Sequence, residues 1–188
     1  MPPFDPERIS RPIAPLLIEL EERAQRDRVR TIDRSLGRLL STLVHCMQAN
    51  RIVEIGTGYG YATLWMALAL PPAGKIWAID PSIQQTRVAQ EYLGRAGAAK
   101  QVEIVNSPAL DILPRFPLRN LDIVFVDAVH EEYGAYLRSA LPLLKLSGLM
   151  LFRGMDSEPF AREFLNYDDM DATVMPIDGG TGIGARVR

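Results

Sequence analysis

The sequence predicts an α/β fold: a doubly wound, mostly parallel seven-stranded sheet with a C-terminal antiparallel hairpin. Three observations carry this. Short apolar runs alternate with helical stretches over residues 51–152. The run 121–126 is almost continuously apolar, as a strand buried on both faces must be. The alternation then breaks, and two short runs, 172–175 and 182–187, flank the turn Asp178-Gly179-Gly180, which reads as an antiparallel pair.

The elements follow in order. Residues 16–29 read as a charged amphipathic helix entered through Pro12 and Pro15, and 35–47 as a second helix. Strand 51–55 leads to helix 61–70, which ends before Pro71-Pro72-Ala73-Gly74. Strand 75–79 follows. Ser82 and Gln85 have capping-box spacing and open a helix that stops near Gly94 to Gly97. Strand 102–105, a short helical turn at 109–113, strand 121–126, a helix over 132–144 and strand 149–152 complete the alternation. A short helix past Ser157 precedes the hairpin.

At 188 residues the chain is long enough for one three-layer core, and 47% hydrophobic with 23% charged residues is ordinary for a globular protein. A net charge of −2 and the absence of a Lys/Arg cluster argue against nucleic acid as a partner. No run approaches the roughly 18 apolar residues of a membrane span, and Met1-Pro-Pro-Phe-Asp5 lacks a signal-peptide pattern, so the expected location is cytoplasmic. Cys46, the single cysteine, excludes a disulfide within the chain and a thiolate cluster. Its spacing from Leu39 and Leu43 reads as a buried, inert thiol.

The most informative stretch is Ile52-Val-Glu-Ile-Gly-Thr-Gly-Tyr-Gly-Tyr61. An apolar run ends in Glu54 and then in Gly56, Gly58 and Gly60, a turn that lets a ligand approach the backbone. Tyr61 stands where the dinucleotide fingerprint wants its third glycine, and Glu54 would repel a diphosphate. A nicotinamide-dependent oxidoreductase is therefore the weaker fit. A cofactor with a positive centre and no phosphate, S-adenosylmethionine, fits better. Asp80, at the carboxyl end of the next strand, is placed to accept both ribose hydroxyls, a device that nicotinamide and adenosylmethionine sites share.

With these residues in place, the chain resembles the cation-dependent small-molecule O-methyltransferases, the group that includes catechol and caffeoyl-CoA O-methyltransferases. The resemblance runs from about Val29 to the C-terminus. It rests on Leu36-Gly-Arg-Leu-Leu40, Val53-Glu-Ile-Gly-Thr-Gly-Tyr-Gly-Tyr61, Ile79-Asp80, Ala109-Leu-Asp-Ile-Leu-Pro114, Phe125-Val-Asp-Ala128, Leu143-Leu-Lys-Leu-Ser-Gly148 and Met175-Pro-Ile-Asp-Gly-Gly180. It implies a Rossmann-like S-adenosylmethionine-dependent methyltransferase fold in one domain, with residues 1–50 as helices over the cofactor and acceptor site and 51–188 as the core. It further implies that Gly56, Gly58 and Gly60 face the methionine part, Glu54 its ammonium and Asp80 the ribose. Pro81 and Ala109 border the adenine, Asp127 stands beside the transferring methyl, and Thr31 and Ile32 cover the cofactor. Tyr61 serves the cofactor site or packs in the core. For Ile32 a plain helix-entry staple is the favoured alternative. The resemblance also suggests a homodimer.

The chain departs from the family at its metal. The family's cation is held by an Asp matching Asp127 and by an Asp-Asn pair whose positions fall on Arg153 and Gly154. A guanidinium has no lone pair to offer a cation. Arg153 is expected instead to pair with Asp127 and put a fixed positive charge in the cation's place. Asp156 is the alternative substitute ligand. Where the family carries its lysine base this chain has His130, and an imidazole titrates near neutrality without a metal. The competing reading of His130 is a solvated turn residue, and His45 reads as structural. The loop between Arg153 and Pro176 is short, leaving Phe160, Arg162 and Phe164 as the candidates to line an acceptor pocket.

The resulting expectation is an S-adenosylmethionine-dependent O-methyltransferase acting on a small molecule, a phenolic hydroxyl, without a divalent cation. His130, Arg153 and Asp127 are its catalytic residues. The alternative is a non-catalytic adenosylmethionine-binding protein whose acceptor site has decayed.

Overall fold

The computed structural model describes residues 14–155 and 159–188. Two helices, α1 (Ala14–Asp27) and α2 (Arg34–Met47), precede the alternating series. That series is β1 (Arg51–Ile55), α3 (Tyr61–Ala67), β2 (Lys75–Ile79), α4 (Ile83–Arg95), β3 (Val102–Val105), α5 (Ala109–Ile112), β4 (Leu121–Val126), α6 (Tyr133–Ala140) and β5 (Leu144–Arg153). Helix α7 (Pro159–Leu165) and the strands β6 (Met170–Met175) and β7 (Thr181–Arg186) close the chain. The seven strands form one sheet in the order β3-β2-β1-β4-β5-β7-β6, parallel through β5 and antiparallel for β7 and β6.

Alternation along each strand sends successive side chains to opposite faces. Ile52, Ile76, Ile123, Phe125 and Leu151 pack with helices α1 to α4, whereas Val53, Ile55, Val124, Val126, Met150 and Phe152 pack with α5 to α7. Asp33 caps α2, its carboxylate accepting from Leu36 N–H at 2.7 Å. Ser82 caps α4 through Gln85 N–H at 3.3 Å, as the capping-box spacing predicts. Among the described residues no helix is long and apolar enough to cross a membrane.

Four details differ from the sequence reading. Helix α3 stops at Ala67, because a helix seldom continues to the residue before a proline and Pro71-Pro72 follows. Helix α6 is shorter than expected and is flanked by 3₁₀ turns at His130–Glu132 and Leu141–Leu143, the second around Pro142. Strand β5 begins at Leu144. The turn-like Lys145 to Gly148 is absorbed as a register shift against β4, with Ser147 at φ 61°. Cys46 is exposed, because α2 buries the face of Leu36, Gly37, Leu40 and Val44 rather than that of Leu39 and Leu43.

Candidate active site

The sheet reverses its winding between β1 and β4, and beyond the carboxyl ends of the strands there lies a cavity of about 600 Å³. The turns after β1, β2, β3 and β4 form one side of it. The segment from Arg28 to Ile32, which joins α1 to α2, forms the other.

The three glycines of the first turn all have positive φ, for different reasons. A Cβ on Gly56 (φ 89°) would come within 2.1 Å of the Asp127 carbonyl oxygen, so this glycine lets the ends of β1 and β4 approach. A Cβ on Gly60 (φ 78°) would meet Ala89 Cβ at 2.7 Å, so this one seats α4. Gly58 (φ 52°) has only Gln85 Oε1 at 3.6 Å, which leaves its backbone open to a ligand. Gly56 and Gly58 line the cavity; Gly60 lies behind it.

Asp80 joins two of the turns. Its Oδ2 accepts from Gly58 N–H and its Oδ1 from Ser82 N–H, each at 2.8 Å. A carboxylate offers about four acceptor positions, so capacity for hydroxyl donors remains. Pro81, Ala109 and Ile32 also line the cavity, and Ile32 is buried. The Tyr61 ring lines it as well. Its hydroxyl donates to Glu21 on α1, and Glu21 is in turn forked by Arg34 at 2.7 and 2.8 Å. Tyr61 thus combines cavity wall and helix packing.

Glu54 is fully buried behind the glycine turn and is not on the cavity wall. One carboxyl oxygen accepts from the Thr63 hydroxyl, and Oε1 has no partner. Burial pushes its pKa up to about 8; Asp127 and Asp80 add to the rise, and Thr63 opposes it. The Thr57 hydroxyl, on the cavity wall and 5% exposed, is also without a partner. The unpaired hydroxyl of Thr57, a residue of the cavity wall, fits an absent polar ligand, and the unpaired Glu54 oxygen lies behind it.

Arg153 stands at the other end of the cavity. Its Nη1 donates to Asp127 Oδ2 at 3.1 Å and to Oδ1 at 3.3 Å. Nε and Nη2 donate to the two oxygens of Asp178 at 2.8 and 3.0 Å, and Nη2 also donates to the Thr31 carbonyl at 2.9 Å. Burial works to lower the guanidinium pKa, but the carboxylates of Asp178 and Asp127 outweigh it and the value rises. Burial raises that of Asp127 against the pull of Arg153. The predicted Arg153–Asp127 pair is therefore present. Among the described residues, no three His, Cys, Asp or Glu side chains are grouped to hold a metal ion, and Asp156 lies outside those residues.

His130 lines the same end, with its ring 4.8 Å from that of Tyr133. A Cβ on Gly154 (φ 73°) would come within 2.9 Å of His130 Cε1 and 3.2 Å of Nε2. The imidazole thus occupies room that any side chain at position 154 would take. Phe160 and Phe164 do not line the cavity. They are buried against Phe152 and Tyr133 in the core, and Arg162 is exposed. An apolar face on a short helix reads the same whether it covers a core or a pocket. The wall is built instead by Arg28 to Ile32, Val129, Glu132 and Tyr136. The sequence reading passed over Thr57, Thr63 and Asp178. The last sits in the Asp-Gly-Gly turn at φ 50°, a conformation that aspartate tolerates better than most residues.

A family model described as O-methyltransferase matches residues 8–172. The chain is 36% identical over 115 residues to a catechol O-methyltransferase of Mycobacterium tuberculosis, covering 61% of this chain and 52% of that protein. It is 33% identical over 119 residues to caffeoyl-CoA O-methyltransferase 2 of Petunia hybrida, covering 61% and 49%. The chain spans about half the length of the curated relatives it matches. Among solved structures, the O-methyltransferase TomG of Streptomyces achromogenes, in complex with SAM, matches with a TM-score of 0.83 at 26% identity, covering 92% of this chain and 90% of that one.

Proposed function

Matched by its model over residues 8–172, the chain belongs to the O-methyltransferase family, and we propose that it transfers a methyl group from S-adenosylmethionine to a phenolic hydroxyl of a small molecule without a divalent cation. One observation carries the last part. The three departures from the family pattern meet at one end of the cavity, with Arg153 bonded to Asp127 and the His130 ring against Gly154.

When bound, S-adenosylmethionine supplies an electrophilic methyl group on a sulfonium. The open backbone at Gly58, with Gly56 beside it, serves the methionine part, and the unpaired Thr57 hydroxyl offers it a polar contact. Glu54 and Gly60 support this end from behind, where a bound ammonium would draw the buried Glu54 carboxyl toward its ionised form. Asp80 holds the ribose, while Pro81, Ala109 and the buried Ile32 flank the adenine. Tyr61 closes the wall.

At the acceptor end, His130 would take the proton from the hydroxyl as the oxygen–carbon bond forms and the sulfonium's carbon–sulfur bond breaks to leave a neutral thioether. Asp127 borders the reacting groups. All the guanidinium nitrogens of Arg153 are engaged, so its contribution to the developing oxyanion is its charge. Positioning supplies much of the rate, since a nucleophile held in line avoids the entropy of encounter.

The chain acts as one domain: of the N-terminal 50 residues, the described part, 14–50, covers the site, residues 1–13 lying outside the described residues, and the described part of 51–188 forms the core. Its setting is cytoplasmic, its assembly a homodimer, and its partners are small molecules rather than nucleic acid or membrane. Titration of the protein with S-adenosylmethionine and with NAD tests the cofactor reading. Tighter binding of the first is expected; tighter binding of the dinucleotide overturns it.

A further inference from the structure

Asp178 lies off the cavity wall, yet the contacts that join the cavity's two sides converge on it. Its Oδ1 accepts from Arg153 Nη2, and its Oδ2 accepts from both Arg153 Nε and the Asp33 backbone N–H, the latter at 2.9 Å. Arg153 carries the same link onward to Asp127, at the end of β4, and to the Thr31 carbonyl. Thr31 and Asp33 bracket Ile32, the buried residue of the wall formed by Arg28 to Ile32.

A carboxylate that grips a guanidinium through two parallel N–H···O bonds fixes its plane as well as its place. Here that plane must present Nη1 to Asp127 and the second hydrogen of Nη2 to Thr31. A salt bridge on the surface would contribute little, but the Arg153 side chain is only 8% exposed and that of Asp178 13%. We propose that Asp178 is the positioning residue of this site: by orienting Arg153 and holding Asp33 N–H, it latches the strap of residues 28–33 over the cavity and so sets how long a ligand stays. The functional half of this inference rests on the adenosylmethionine reading; the latch itself does not.

The test uses Asp178→Asn, which keeps an acceptor and tolerates φ 50° but loses the charge and the fork. Asp122→Asn is the control. Asp122 sits at the opposite end of β4, where its carboxylate accepts from Asn50 and Arg51 N–H at 2.8 Å, so its loss weakens the fold without touching the strap. Amide hydrogen exchange is followed in the unliganded proteins. Asp178→Asn should speed exchange across residues 31–33 by at least about tenfold relative to β4 and β5, whereas Asp122→Asn should not. Dissociation of S-adenosylhomocysteine from Asp178→Asn should be faster by a similar factor.

Exchange at 31–33 that is unchanged, or that rises equally in both variants, overturns the latch. Selective exchange with unaltered dissociation overturns its control of the ligand. If the wild-type protein binds neither S-adenosylmethionine nor its product, the proposed function fails; control of that ligand fails with it, and exchange alone decides the latch.

Discussion

Arg153 Nη1 lies 3.1 and 3.3 Å from the two oxygens of Asp127, at the edge of the cavity. Asp127, the position to which the family resemblance assigns a metal ligand, is thus bonded to a covalently attached cation. A guanidinium stays protonated across the working pH range and offers no open coordination position to an acceptor oxygen. On the proposed reading an acceptor hydroxyl gains no Lewis acid here, and its proton is taken by a base, the imidazole of His130.

His130→Ala should lower turnover by about 10² to 10⁴-fold while leaving cofactor affinity unchanged. Gly154→Asn should do much the same without unfolding the protein. Asparagine accepts a positive φ, but its Cβ would stand within 2.9 Å of the His130 ring. Steady-state kinetics beside direct cofactor titration separate the two effects. Unchanged turnover in both variants removes His130 from the mechanism.

Much of this was legible in the chain, and what was not has a physical reason. Strands β1 to β4 could be read to the residue, because turn residues mark their ends and, in β4, burial on both faces leaves little room for polar residues. The start of β5 could not, since Lys145-Leu-Ser-Gly148 reads as a turn and is held in the sheet by a register shift. Arg153 and Asp127 follow from neighbouring strand ends. Asp178 and the Thr31 carbonyl join Arg153 from 25 and 122 residues away, and no local pattern marks such a meeting.

Asp80→Asn should weaken S-adenosylmethionine binding by roughly 10 to 100-fold, the loss of one or two charge-assisted bonds. The same carboxylate accepts from Gly58 and Ser82 N–H, so the glycine turn should loosen as well. Calorimetric titration, with exchange of the Gly58 amide as a second readout, checks both.

The glycines should separate fold from ligand. Gly56→Ala puts a Cβ 2.1 Å from the Asp127 carbonyl oxygen and should cost more than about 4 kcal/mol or abolish folding. Gly58→Ala meets only Gln85 Oε1 at 3.6 Å and should cost only about 1–2 kcal/mol for its positive φ, yet it should impair cofactor binding. Denaturant unfolding gives the first number and ligand titration the second.

Glu54 gives the unliganded protein a pH dependence of definite sign. Its folded pKa, about 8, lies above the ordinary 4.5, so the fold accommodates the neutral carboxyl. Stability from this group is full below about pH 4.5 and is lost as pH rises through about 8. Glu54→Gln should flatten that slope and weaken cofactor binding. Thermal midpoints of the two proteins measured between pH 5 and about 9 should converge at the acid end and part at the alkaline end. Parallel curves would mean that Glu54 is already ionised in the unliganded fold.

The central claim is methyl transfer without a divalent cation. Transfer of labelled methyl from S-adenosylmethionine to a panel of catechols and monophenols, run in parallel with Mg²⁺ and with excess chelator, tests it most directly. Transfer that is equal in the two conditions is the predicted result. Transfer seen with Mg²⁺ and abolished by chelation would contradict the account.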